Sequence, residues 1–353
     1  MKKVLLALLA IFAVTIFSVD VGIVLPTKDE PRWVQDEARF KSALNDTNYS
    51  VEVLFSQGSS AKERQNVEAL LSKGIKVLII CPQDAVAAAG TVNLAKKAGV
   101  EVISYDRLVT NTNSVDYYVT FDSVEVGRAQ GRFLVDHASG KNNPLYLYAG
   151  ALSDNNAFLF FQGAWEVLQP KIADGTFRII NSTEAQNLKN KKNLSREETS
   201  KIINQITTDW SFTVARRKAE DNLTRARRTD KGNVFILAPN DGTARAIADA
   251  FKQDRDVKSY YVTGQDAEKA SIQYIISGKQ SMTVFKDVRL LVKDAINVAQ
   301  FLLKGVKLIT PQAYDNGSKM VPAIQSEIQV VTKDNVKKIL IDSKYYKDSD
   351  FRW

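Results

Sequence analysis

The 353 residues contain one cysteine, one histidine and three methionines. With Cys81 alone, no internal disulfide is possible. It lies in Ile79-Ile80-Cys81-Pro82, an apolar setting without a neighbouring base, and reads as a small buried side chain. A single histidine, His137, builds neither a zinc site nor a repeated ligand pattern and reads as structural. No metal and no cofactor is expected. No G-x-G-x-x-G follows the first strand and no Walker-type loop occurs, which argues against a nucleotide-binding enzyme. Beyond the amino terminus no apolar run is long enough to span a bilayer. There is no clear repeat and no Pro/Gly/Ser-rich linker.

The chain is long enough for two domains of ordinary size. An apolar share of 44% with 25% charged residues supports two buried cores. The net charge is +8, or +6 without Lys2 and Lys3. Its excess lies in Lys189–Lys192 and Arg225–Arg228, runs that read as solvated faces, so no nucleic-acid partner is expected. Met1-Lys2-Lys3 is a cationic head, Val4–Phe17 is uncharged and apolar, and Asp20 ends the run. This is the layout of a secretory signal peptide over residues 1–18, too short for a transmembrane helix. The cut is placed loosely near Ser18, because no clean small-x-small pattern precedes it. A buried first strand is the competing reading. No cysteine near the cut offers a lipid anchor, and the mature chain is expected to be periplasmic.

Short apolar strands alternate with amphipathic helices. Val21–Leu25, Val51–Phe55, Ile75–Ile80 and Val100–Tyr105 read as strands; Pro31–Leu44, Ala61–Lys73 and Asp84–Ala98 read as helices between them. Gly74 and Gly99 stop two of the helices. The rhythm restarts with strands at Leu145–Tyr148, Arg178–Ile180, Val234–Ala238, Tyr260–Val262 and Met282–Phe285, and helices such as Ala244–Lys252 and Ala267–Ile276. Such alternation predicts parallel sheets, here two doubly wound α/β lobes. Residues 182–209 break the rhythm and read as a polar insertion on the second lobe, helix-like from Ser195 to Ile206.

Ligands of open α/β sheets bind beyond the carboxyl ends of the strands. Those positions carry Glu30-Pro31-Arg32-Trp33, Asp106-Arg107, Asp154-Asn155-Asn156, Asn240-Asp241, Gln265-Asp266 and Lys286, and Trp210 ends the insertion. Carboxylates and amide oxygens accept from a sugar hydroxyl, and Arg, Lys and amide NH2 groups donate to it. Flat indoles suit the apolar C–H faces of a pyranose. Each element also has a plainer reading. Trp33 shares helical spacing with Phe40 and Leu44 and fits a core stripe. Asp106-Arg107 fits a local ion pair, and Asp154 and Asn240-Asp241 fit helix caps. A cap and a ligand contact are compatible, and the joint occurrence at successive strand ends favours a monosaccharide site.

At these residues the sequence resembles the periplasmic type I sugar-binding proteins of ABC transporters, in the xylose- and multiple-monosaccharide-binding branch. The matching stretches are Glu30-Pro31-Arg32-Trp33, Tyr105-Asp106-Arg107, Ser153-Asp154-Asn155-Asn156-Ala157, Pro239-Asn240-Asp241-Gly242-Thr243-Ala244, Gly264-Gln265-Asp266-Ala267 and Met282-Thr283-Val284-Phe285-Lys286. The resemblance implies that Arg32, Asp106, Arg107, Asp154, Asn156, Asn240, Asp266 and Lys286 bind hydroxyls, with Trp33 and Trp210 stacking on the ring. It implies three chain crossings, placed near Phe121, Lys286 and Pro311. The lobes are then residues 19–121 with 286–312, and 122–285 with 313–353. It further implies a non-enzymatic monomer that closes on xylose, glucose or a related aldose and delivers it to a membrane permease. One rival is a sugar-processing enzyme such as a glycosidase, which needs two carboxyl groups, one protonated; Arg32, Arg107 and Lys286 are expected to keep them ionised. The other is a sugar-responsive repressor, which needs a helix-turn-helix where this sequence has an apolar segment and a strand.

Overall fold

The computed structural model describes residues 19–44 and 48–353. The segment read as a signal peptide, residues 1–18, lies outside the described residues. The first lobe starts with β1 (Val21–Leu25), α1 (Pro31–Leu44), β2 (Val51–Phe55), α2 (Ser60–Ser72), β3 (Val77–Ile80), α3 (Ala88–Lys97), β4 (Glu101–Tyr105) and β5 (Tyr117–Phe121). The strands pair in parallel in the order β5-β4-β3-β1-β2. β1 and β3 are buried at every position, as strands covered on both faces must be. One face packs on α1 through Trp33 and Phe40, the other on α2 and α3 through Val67, Leu70 and Val92.

After Phe121 the chain enters α4 (Ser123–His137), which packs in the second lobe. That lobe continues through β6 (Asn143–Leu147), α5 (Asn155–Ala173), β7 (Phe177–Ile179), α6 (Thr183–Asn187), α7 (Arg196–Ile206), α8 (Phe212–Arg225), β8 (Gly232–Leu237), α9 (Asp241–Gln253), β9 (Val257–Val262), α10 (Lys269–Ile276) and β10 (Thr283–Lys286). Its parallel sheet runs β7-β6-β8-β9, and a bridge from Val284 to Gln265 attaches β10. Helices α4 and α5 cross in backbone contact. A Cβ on Gly127 would lie 1.9 Å from the Phe160 carbonyl oxygen, so only glycine permits that approach. The 182–209 segment folds as α6 and α7. A Ser195–Glu198 capping box starts α7, and Ile202, Ile203 and Ile206 bury it against the α5 side of the core.

From Lys286 the chain returns to the first lobe as α11 (Val288–Leu303), whose apolar face covers β1, β3 and β5. The ending departs from the sequence expectation that gave residues 313–353 to the second lobe. β11 (Gln312–Asp315) and β12 (Met320–Ser326) form a hairpin, and β12 pairs in parallel with β5. The crossing expected near Pro311 is instead at Glu327, because β12 closes the otherwise open edge of the fully buried β5. β13 (Ile328–Val331) then pairs antiparallel with β10. The last residues pack on α10, where Leu340, Tyr345, Tyr346 and Phe351 join Ile272 and Ile275 in one apolar cluster.

Helix starts also differ: α9 begins at Asp241 rather than Ala244, behind the Asn240 cap. α3 begins at Ala88 rather than Asp84, since the Asp84 carboxylate accepts from the Val86 and Ala87 N–H groups and forms a turn. α10 begins at Lys269 rather than Ala267, because Asp266 and Ala267 hold φ of 96° and 49°, outside the helical region.

Candidate functional site

The strand ends of both lobes face each other. Arg32, on the first turn of α1, makes the central contacts. Its Nε and Nη2 donate to Asp36 at 2.7 and 3.4 Å, Nη2 also donates to Asp106 at 2.9 Å, and Nη1 reaches Asp266 at 3.3 Å. Asp36 is fully buried and also accepts from the Tyr105 hydroxyl. Lys286, at the end of β10, lies 2.9 Å from the same Asp266 oxygen. Across the cleft Arg107 binds Asp154 at 2.9 Å, and Asn156 donates to the Asp106 carbonyl at 3.0 Å. These links join α1 and the β4 end on one lobe to α5 and the β9 end on the other.

All ten residues singled out in the sequence line one pocket: Arg32, Trp33, Asp106, Arg107, Asp154, Asn156, Trp210, Asn240, Asp266 and Lys286. Side chains from both lobes already meet across it, leaving only about 20 Å³ of free space. The guanidinium carbons of Arg32 and Arg107 lie 5.2 and 5.0 Å from the Trp33 ring centre. Trp33 is therefore both buried core and pocket wall. Asp154 and Asn240 are caps as well as lining: their side chains accept from the N–H groups of Asn156 and Thr243.

Three further residues complete the wall: Glu30, Phe160 and Gln265. Glu30 and Gln265 lay inside the quoted stretches; nothing in the sequence marked Phe160. Asp36 was also missed, although its place one helical turn after Arg32 is the signal for such a pair. Gly150 gives room: a Cβ there would meet Trp210 Cζ2 at 2.0 Å. Gln265 donates to the Pro239 carbonyl at 2.8 Å, while its Oε1 and the Trp210 indole N–H are buried with no hydrogen-bond partner among the described residues. A buried polar atom without a partner costs about 1–3 kcal/mol, which a hydroxyl-rich ligand would relieve.

The ionisation pattern is mixed. Burial raises the Asp106 carboxyl, but Lys286, Arg32 and Arg107 together overcome it and hold it below the usual range. Asp154 and Glu30 behave oppositely: burial outweighs Arg107, and both lie above the usual range. The cations thus outweigh burial at Asp106, whereas at Asp154 and Glu30 desolvation is the larger effect. No cluster of His, Cys, Asp and Glu among the described residues is arranged to hold a metal ion.

The family model described as "Periplasmic binding protein domain" matches residues 21–307. The chain belongs to the periplasmic binding protein family. It is 32% identical to the multiple sugar-binding periplasmic receptor ChvE of Rhizobium radiobacter, over 96% of this chain and 94% of that protein. It is 30% identical to the D-xylose-binding periplasmic protein of Haemophilus influenzae, over 98% and 97% of the two chains. A carbohydrate transporter solute-binding protein from Chloroflexus aurantiacus, solved in complex with D-glucose, is 66% identical with a TM-score of 0.94, over 95% of this chain and 98% of that one. The two doubly wound sheets and three crossings are the type I form of the periplasmic binding protein fold. Among the described residues of this periplasmic binding protein, no helix is long and apolar enough to cross a membrane.

Proposed function

We propose that this protein captures one aldose in its pyranose form between the two lobes, outside the cytoplasm, and delivers it to an ABC permease. The observation that carries the reading is the convergence of carboxylate, amide, guanidinium, ammonium and indole groups from both lobes on one pocket. Asp106, Asp154, Asn156, Asn240 and Asp266 accept from or donate to hydroxyls, Arg32, Arg107 and Lys286 donate, and Trp33 and Trp210 cover the ring's C–H faces. Groups from separate lobes reach one ligand only when the cleft is shut, so the sugar favours closure by its differential affinity for that state. The D-glucose complex of the 66% identical relative makes D-glucose the first sugar to test.

Isothermal titration of the mature protein against D-glucose, D-xylose, D-galactose and L-arabinose tests the reading. Saturable one-to-one binding of at least one, with glucose the tightest, is expected. No heat with any of the four overturns it. Catalytic turnover of an aryl glycoside panel would place the protein among enzymes instead.

A further inference from the structure

The lobes also touch away from the pocket. The C-terminal segment packs with α10 and β10 of the second lobe, yet its tyrosines reach the first. Tyr345 Oη donates to Gln35 Oε1 at 3.0 Å, Gln35 Nε2 donates to Tyr346 Oη at 3.3 Å, and Tyr346 Oη donates to the Ala267 carbonyl at 2.9 Å. Gln35 sits on α1, three residues after Arg32, and Ala267 follows Asp266. An unbroken chain of hydrogen bonds therefore connects the two segments that hold the Arg32–Asp266 pair. A second contact runs beside it: Arg289 on α11 donates to the Ser343 carbonyl at 2.9 Å, with its guanidinium carbon 5.0 Å from the Tyr345 ring centre.

Both tyrosines are buried, and a buried phenol hydroxyl takes a partner. For Tyr345 that partner belongs to the opposite lobe, so opening the cleft breaks the bond. Tyr346 does something different. Asp266 and Ala267 are non-glycine residues at positive φ, a backbone form that its surroundings must hold. The Tyr346 hydroxyl ties down the Ala267 carbonyl of that turn, and with it the direction of the Asp266 carboxylate.

We propose that Gln35, Tyr345 and Tyr346 form a closure latch that positions Asp266 and slows release of the bound sugar. The latch forms on closing, after the ligand has entered, and so acts on dissociation and not on entry. It rests on the sugar-binding reading for its kinetic effect, but the contact itself does not depend on a ligand.

The test is stopped-flow binding of D-glucose to the full mature chain with Gln35→Ala, Tyr345→Phe and the double variant. Tyr345→Phe keeps the ring against Phe285 and removes only the hydroxyl. Each single variant is expected to raise the dissociation rate roughly three- to tenfold, as loss of one hydrogen bond in Tyr345→Phe and two in Gln35→Ala predicts, with an association rate within about twofold of wild type. The double variant is expected to be no faster than Gln35→Ala alone, because that variant already removes the bond that Tyr345→Phe removes, together with the one to Tyr346. Unchanged dissociation, or equal changes in both rates, overturns the latch. A separate readout needs no sugar: Gln35→Cys with Tyr345→Cys, treated with a short bis-maleimide, is expected to cross-link within one chain. Absence of that product overturns the latch whatever the protein binds. Cross-linking by a protein whose wild type binds none of the four sugars would leave the latch standing and remove the sugar reading.

Discussion

Arg32 on the first lobe and Asp266 on the second meet at 3.3 Å, yet they are held there by different means. The first-lobe half is braced by charge: Asp36, buried between Arg32 and the Tyr105 hydroxyl, fixes the guanidinium before any ligand arrives. The second-lobe half is braced by backbone. Asp154 and Asn240 serve as helix caps, while Asp266 and Trp210 sit on left-handed turns with φ of 96° and 58°. A charge brace fails when a partner is deleted; a backbone brace fails when the turn or the space around it changes. Each substitution below sets one kind against the other.

The largest effect is expected for Asp266→Ala. It removes the carboxylate shared by Arg32 and Lys286 and leaves two buried cations facing each other. Affinity for the preferred sugar should fall by about 2–4 kcal/mol, since buried partners are left unpaired, while circular dichroism keeps the native shape. An unchanged dissociation constant would remove Asp266 from the site. Asp36→Ala follows, and it should act on folding as well as on binding. Arg32 retains Asp106 and Asp266, so the loss belongs at about 3 kcal/mol, the lower end for breaking a buried pair. Urea denaturation measures it, and a loss near zero would mean that the first half needs no charge brace.

The first lobe also holds a buried carboxyl with no guanidinium or ammonium bound to it among the described residues. Glu63, on the first turn of α2, accepts from the Gln83 N–H at 2.7 Å, and its Oε1 has no partner among the described residues. Burial pushes its pKa up to about 7. Unfolded, the group ionises near the ordinary glutamate value; folded, it keeps its proton up to about pH 7. Its stabilising contribution is therefore complete below the unfolded value and is lost as pH rises through about 7. Glu63→Gln should be more stable than wild type by roughly 2 kcal/mol at pH 8, with the advantage vanishing toward pH 4. Parallel stability curves from pH 4 to 8 would show that Glu63 is not desolvated as the fold implies.

The contrast between the braces also explains what was legible in the sequence. The charged half was readable because its elements are local: Arg32-Trp33 opens a helix behind a fully apolar strand, and Asp106-Arg107 directly follows another. Asp154, Asn240 and Asp266 were readable as strand-end residues, but their backbone roles were only partly visible. Ala267 looked like the start of a helix because nothing in the local pattern forbids it; the Thr283 hydroxyl and the Val284 carbonyl that hold the Asp266–Ala267 turn lie on β10. The β11–β12 hairpin was misplaced for the same reason. Its second strand pairs with β5, about two hundred residues earlier in the chain, and pairing of that kind leaves no periodicity in the paired segment. The latch residues Tyr345 and Tyr346 gave no signal at all, because their hydroxyl partners lie on α1 and beside Asp266.

The smallest effect, and the sharpest test of the backbone brace, is Gly150→Ala. Gly150 follows β6 at the point where Ala149 bridges Thr207, and its carbonyl accepts from the Thr207 hydroxyl at 2.8 Å. That pairing brings the Asp209–Trp210 turn over the glycine, and the indole occupies the space a methyl group would need. The backbone around Gly150 need not change, so the methyl acts by pushing the indole away, against Phe160 at 6.3 Å or out toward solvent. The ring then leaves its place in the pocket wall, while Asp154, Asn240 and Asp266 keep theirs. Affinity should fall about tenfold, or about 1.4 kcal/mol, with little change in denaturation midpoint. Sugar-induced change in tryptophan fluorescence should shrink in step. If affinity falls by as much in Trp210→Ala, and Gly150→Ala adds nothing to that variant, the glycine acts only through the indole. A further loss in the double variant would mean that the methyl also disturbs the Ala149–Thr207 bridge, and that the second half of the pocket is braced by its sheet edge rather than by the turn.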